Sequence, residues 1–165
     1  VTVRRSRALQ SLMNTYLHLR AVHPSALRNS TTWLQRLFED DWDTVRHRID
    51  RHREEMLDGH YLDHELLYAG AQVVLGGHPV SHPDPKTSPF LLLTAAQVTR
   101  VAEFLTDADF EALWQEAREE LLKPYGDTAT EPEVQGAFAA AHRDLTAFYE
   151  RTALYGDAVV KWLIQ

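Results

Sequence analysis

Hydrophobic and polar positions along the chain alternate with two different periods, and the changes between them divide it into elements. From Tyr16 to Val22, Leu17, Leu19 and Ala21 alternate with Tyr16, His18 and Arg20, the period-two signature of a strand. His23-Pro24-Ser25 ends it, because proline cannot continue a ladder and Ser25 can cap the next element. A short helical turn is expected near Ala26–Arg28 and another from Trp33 to Phe38. Trp42, Val45, Ile49, His52 and Met56 then recur in steps of three and four, which predicts a helix over 41–56. A second helix, apolar nearly all round, is predicted from Leu62 to Leu75, stopped by Gly76-Gly77 and placed in the middle of the core. Four prolines between His78 and Pro89 predict an irregular loop, followed by a short strand at Phe90–Leu93.

Helical spacing dominates the rest. Thr94-Ala-Ala-Gln97 has the form of a capping box, opening a helix buried through Val98, Val101, Ala102 and Leu105. Thr106 is the expected cap of the next helix, whose inner face is Phe110, Leu113, Trp114, Ala117 and Leu121. A long helix over about 132–154 carries Val134, Phe138, Ala141, Leu145, Phe148 and Thr152 on one stripe. Ala158 to Ile164 reads as a closing strand. A strand needs a partner for its N–H and C=O groups, so the first and last are expected to share a small sheet covered by helices. The fold expected is α+β: a mostly helical single domain whose small sheet includes strands from near both chain ends.

The 165 residues fit one domain over 13–165, with 44% hydrophobic and 10% aromatic content enough for a packed core. There is no cysteine, which excludes disulfides, thiolate metal sites and cysteine nucleophiles. The net charge of −7 is uneven: residues 1–59 hold 10 Lys/Arg and 8 Asp/Glu, residues 60–165 hold 7 and 16. The acidic larger part argues against affinity for nucleic acid or anionic membranes, which requires a basic face. No apolar run approaches the roughly 18 residues of a membrane span. A basic arm, a targeting segment, and translated sequence upstream of a start at Met13 all fit the Arg-rich residues 1–12; a disordered basic arm is the reading adopted. A cytoplasmic location is the resulting expectation.

Several short segments, in consistent order over about 13–165, resemble the YfbM-like family of uncharacterised bacterial proteins. Met13-Asn-Thr-Tyr-Leu-His-Leu-Arg-Ala-Val22 is similar to its opening strand, and Leu62-Asp63 with Gly76-Gly77 to its central "LD…G" helix. Leu93-Thr94-Ala-Ala-Gln97-Val98 resembles its "LT…V" helix start. Phe148-Tyr149, Gly156-Asp157-Ala158-Val159 and Trp162 resemble its "FY…GDAV" close. The resemblance implies an α+β fold with a small sheet and brings no established activity, so no catalytic residue carries over. Many members have Trp-His-Gly and a second His two residues later in the central helix, where this chain has Tyr68-Ala69-Gly70 and Gln72. Whatever role those imidazoles have elsewhere is absent here.

Candidate chemistry is sparse. His64-Glu-Leu-Leu-Tyr68 is one residue short of HExxH, in which two histidines one helical turn apart bind zinc and the Glu activates water. Tyr68 replaces the second His. His60 and His64, four apart, form the alternative metal pair, with Asp63 or Glu65 completing the site. The competing reading makes Asp63, His64 and Glu65 the polar first turn of a buried helix. His78 and His82, in the proline loop, are candidate ligand-binding residues, weighed against a plain connector. Arg46, Arg48, Arg51 and Arg53 fan around a helix beside Asp50, Glu54 and Glu55, as on a solvated face. Trp33, Trp42, Trp114 and Trp162 are assigned to the core.

Two functions remain in view. The favoured one is a non-catalytic module, without cofactor and not an enzyme, that binds another protein or a small ligand near the proline loop or a sheet edge, as a monomer or weak homodimer. The other is a small hydrolase-type enzyme, metal-dependent in one form, using His60, Asp63, His64 and Glu65.

Overall fold

A computed structural model describes residues 15–39, 54–57, 61–126 and 130–164. Strand β1 (Tyr16–Val22) leads through a 3-10 turn (Pro24–Arg28) to helix α1 (Thr31–Glu39). Then come β2 (Glu54–Leu57), α2 (Tyr61–Tyr68), β3 (His78–Val80) and β4 (Phe90–Leu93). Helices α3 (Ala95–Asp107), α4 (Phe110–Leu122) and α5 (Glu131–Leu154) precede the closing strand β5 (Ala158–Ile164). The strands form one sheet in the order β2-β1-β5-β4-β3, with antiparallel neighbours throughout.

The two terminal strands are its centre. β1 and β5 pair along their full length, from Tyr16 opposite Ile164 to Val22 opposite Ala158. Alternation then sorts their side chains between two cores. Leu17, Leu19 and Val159 join Leu93 under α2 to α5, with Trp114, Leu145 and Tyr149 among the helical contributions. On the other face Val22, Val160 and Trp162 join Phe90 and Leu92 against Leu34 and Phe38 of α1. The sheet is therefore covered on both sides, which is why AVVKWLI reads as a nearly continuous apolar run.

Local signals act as expected at several ends. The Thr94 hydroxyl accepts the Gln97 N–H at 3.2 Å while Gln97 Oε1 accepts the Thr94 N–H at 2.9 Å, a complete capping box. The cap of α4 is Asp109, not Thr106; its carboxylate accepts the Glu111 and Ala112 N–H groups. Thr106 is still inside α3, where its hydroxyl donates to the Ala102 carbonyl at 2.8 Å. Before the 3-10 turn the cap is the His23 ring, which accepts the Ser25 N–H at 3.2 Å.

Three elements differ from the sequence reading. The helix expected over 41–56 gives way at its end to β2, where Leu57 opposes Leu17 and Glu54 opposes Arg20; residues 40–53, with Trp42 and the arginine tract, lie outside the described residues. β1 needs a hydrogen-bonding partner on its second side, and that requirement outweighs the apolar stripe at Met56. Helix α2 ends at Tyr68, not Leu75, because Ala69 and Gln72 take φ values of 48° and 62° and Gly70 one of 82°. Leu62 and Leu66, expected inside, are 50% and 46% exposed. His78–Val80, expected to be irregular, is an edge strand in which Pro79 opposes Leu91; a sheet edge is the place that tolerates proline. Trp33, assigned to the core, stands on the exposed side of α1. The 1–12 arm lies outside the described residues.

Glycine tests the close approach after α2. A Cβ on Gly76 would sit 2.5 Å from the Gln72 Cα, whereas one on Gly136 of α5 would meet nothing within 4 Å. Gly76→Ala is expected to cost about 1–3 kcal/mol by overpacking against backbone. Gly136→Ala is expected to gain about 0.5–1 kcal/mol as a helix-interior glycine replaced by alanine. Urea unfolding of the two variants checks both signs.

Candidate functional site

The most unusual side chain in the molecule is Lys161. It lies in the middle of β5, opposite Leu19 on one side and Leu91 on the other, and is 0% exposed. Strand alternation aims it at the helical face, where it meets the segment that comes after α2. Its Nζ donates to the Gln72 carbonyl at 2.8 Å and to the Gly76 carbonyl at 2.9 Å. Two more side chains hold the same segment: Tyr149 Oη donates to the Val73 carbonyl at 2.6 Å, and Glu65 Oε2 accepts the Leu75 N–H at 2.9 Å. Buried backbone groups that a helix would have paired internally are thus paired by side chains from α2, α5 and β5.

Burial sets the titration of this cluster. Desolvation draws Lys161 down to about 7, partly offset by the negative charge of Glu65. Tyr149, enclosed completely, is pushed well above the ordinary phenol value, first by burial and then by Glu65 and Tyr68. Tyr68 is likewise raised by burial; its Oη lies 2.8 Å from His142 Nδ1, and burial draws that imidazole down.

Beside Lys161 the sheet and α2 border a half-open cavity of about 300 Å³. Its walls are Leu17 and Leu163 from β1 and β5, Leu91 from β4, Leu75 from the turn segment, and Tyr61 with Leu62 from the start of α2. The proline loop contributes Ser88 and Pro89 at its end, and Lys161 supplies the one charged group among the described residues that line it. Leu66, one turn after Leu62 on α2, extends the apolar surface outward.

The residues singled out from the sequence are not gathered here. His60 lies outside the described residues. Asp63 is half-buried in the first turn of α2. His64 is buried with its ring 4.7 Å from that of Phe138, in the wall of a separate cavity of about 180 Å³ that also meets Met56 and Tyr125. Glu65 is engaged with Leu75, as above. Among the described residues no three His, Asp or Glu side chains stand close enough to hold a metal ion. His78 is exposed on β3. His82 is buried instead, parallel to Trp162 at 5.4 Å and accepting the Asp84 N–H at 2.9 Å, so it pins the proline loop to the sheet. On the same face His18 Nε2 lies 3.1 Å from Glu54 Oε2, and Arg20 donates to the Leu37 carbonyl. Neither Lys161 nor this second polar group was found from spacing; a lysine inside an otherwise apolar strand was the one available signal.

A family model described as a domain of unknown function, DUF1877, matches residues 11–162. The chain belongs to this family. The fold is similar to the crystal structure of YfbM from Escherichia coli, a protein of unknown function. That similarity has a TM-score of 0.53 and 14% identity, covering 90% of this chain and 99% of that one. At such identity the likeness concerns the fold, and it agrees with the YfbM-like order of segments. Among curated proteins none matches. No helix among the described residues is long and apolar enough to cross a membrane.

Lys161 makes stability depend on pH with a definite sign. Its folded pKa of about 7 lies below the unfolded value near 10.5, so between them the unfolded chain binds the extra proton. Stability is therefore expected to rise from pH 7 toward pH 10, by an amount on the order of 1 kcal/mol per pH unit. Above about pH 10 the buried tyrosines reverse the trend, because unfolded phenols ionise first. His142, with a lowered folded pKa, adds a loss of stability as the pH falls below about 6.5. Urea midpoints across pH 6–10 check the profile, and Lys161→Met is expected to flatten its alkaline rise.

Proposed function

We propose that this protein is a non-catalytic binding module that receives a small, largely apolar ligand in the cavity between α2, the 69–77 segment and strands β4 and β5. The observation that carries this reading is the cavity itself. Its volume falls at the lower end of the range of small-molecule sites, and its walls are aliphatic and aromatic with few polar groups, the usual composition of such sites. The exposed Leu62 and Leu66 beside it add apolar surface on which a ligand tail can rest.

The position suits binding better than chemistry. Lys161 in its wall, and Glu65 and Tyr149 behind the 69–77 segment, are each engaged in holding backbone, so they act as scaffold for the cavity. The proline loop takes part through Ser88 and Pro89 alone. Its His82 serves to fasten the loop to the sheet.

Octan-1-ol, uncharged and of suitable length, is the probe. It is expected to shift the methyl resonances of Leu17, Leu75 and Leu163 in leucine-labelled protein. Leu75→Trp, which fills the cavity, is expected to weaken binding about tenfold or more, equivalent to at least ~1.4 kcal/mol. Leu154→Ser, at an exposed residue remote from the lining, serves as the control and is expected to change nothing. Methyl resonances that stay fixed at saturating octanol would overturn the proposal.

A further inference from the structure

The geometry points to a small monocarboxylate with an apolar tail as the ligand: its head group pairs with the Lys161 ammonium, and its tail lies against Leu17, Leu75, Leu91 and Leu163. This inference rests on the small-ligand reading above and gives that ligand its chemistry.

The cavity wall holds an amine whose protonated form has no ion-pair partner among the described residues. An ammonium group taken out of water is costly unless it is hydrogen-bonded and neutralised. Lys161 is fully buried and has three N–H donors, of which two go to the Gln72 and Gly76 carbonyls. Those acceptors are neutral. Glu65 is the acid that acts on Lys161, but its Oε2 accepts the Leu75 N–H. Among the described residues no carboxylate forms an ion pair with Nζ. Protonated Lys161 thus has two neutral acceptors for three donors, and a carboxylate supplies the third acceptor together with the countercharge.

The surroundings fix the rest of the ligand. No acidic residue lines the cavity among the described residues, and Lys161 is its one cation, so a singly charged anion is matched and a dianion is not. Apart from Ser88 the remaining walls are aliphatic or aromatic, which suits a hydrocarbon tail. Lys161 is closed off from water, so the proposed contact requires the head group to open a path to Nζ past the Leu75–Gly76 turn. Because burial draws the lysine down to about 7, binding at pH 8 takes up a proton.

The test compares octanoate with octan-1-ol, its uncharged counterpart, on the full chain at pH 8. Calorimetry and NMR of lysine labelled at Cε read the result. Octanoate is expected to bind about tenfold or more tightly than octanol. It is expected to move the Lys161 resonance, to raise that residue's titration midpoint by about one pH unit or more, and to give an enthalpy that differs between phosphate and Tris buffers. Lys161→Met is expected to bring octanoate down to the affinity of octanol. Should that variant fail to fold, the wild-type lysine resonance decides: one that saturating octanoate leaves in place overturns the inference. Equal binding of the two probes sinks the carboxylate and leaves the apolar cavity standing. Binding of neither to the cavity methyls sinks both.

Discussion

A lysine at the centre of a doubly covered sheet has to be satisfied, and the rest of the helical face is arranged around that requirement. Lys161 cannot reach solvent from β5, so two carbonyls have to come to it. Carbonyls in a continuous helix are already committed to their own N–H groups and point along the axis. The chain after Tyr68 therefore leaves the helix, accepting left-handed conformations at Ala69 and Gln72 so that the Gln72 and Gly76 carbonyls face the sheet. Non-glycine residues held in that region are disfavoured by on the order of 1–2 kcal/mol each. They persist here because Lys161, Tyr149 and Glu65 fix the segment from three directions. The cavity borders this arrangement, with Leu75 of the segment and Lys161 both in its wall.

The parts of the fold carried by local periodicity were legible. β1, β5 and their pairing, β4, and the helices at 95–107 and 131–154 each have an uninterrupted period and a recognisable start or stop. The capping box at Thr94 works through residues three apart, so nothing distant is needed to see it. Where the reading went astray, a remote partner decides. β2 is a strand because β1 lies beside it, although Met56 fits a helical stripe. The end of α2 is set by a side chain 89 residues from the carbonyl at position 72. Apolar Val73, Val74 and Leu75 look like helix in isolation, since periodicity records burial and not the direction of carbonyls.

The candidate site was less legible than the fold, for a related reason. A histidine-rich stretch attracts attention because imidazoles perform so much chemistry, yet His64 and His82 are buried against aromatic rings. Lys161 drew none, because a single lysine in AVVKWLI reads as one polar residue in a strand. Its significance appears only once both faces of β5 are known to be covered. The two faces also differ in character. The helical side has Lys161 and backbone carbonyls; the α1 side has His18 near Glu54, Arg20 on the Leu37 carbonyl, and a cluster in which Phe38 packs against His18, Phe90 and Trp162.

The proline in β3 has a consequence beyond its own strand. A sheet that ends in a free row of amide hydrogens is a template on which another chain can crystallise its own backbone, and growth of that kind ends in fibrils. Pro79 has no amide hydrogen, and the strand is three residues long, so an incoming backbone finds at most a short ladder to copy. Along this margin the sheet terminates itself, and its longest, most apolar strands stay sealed at the centre.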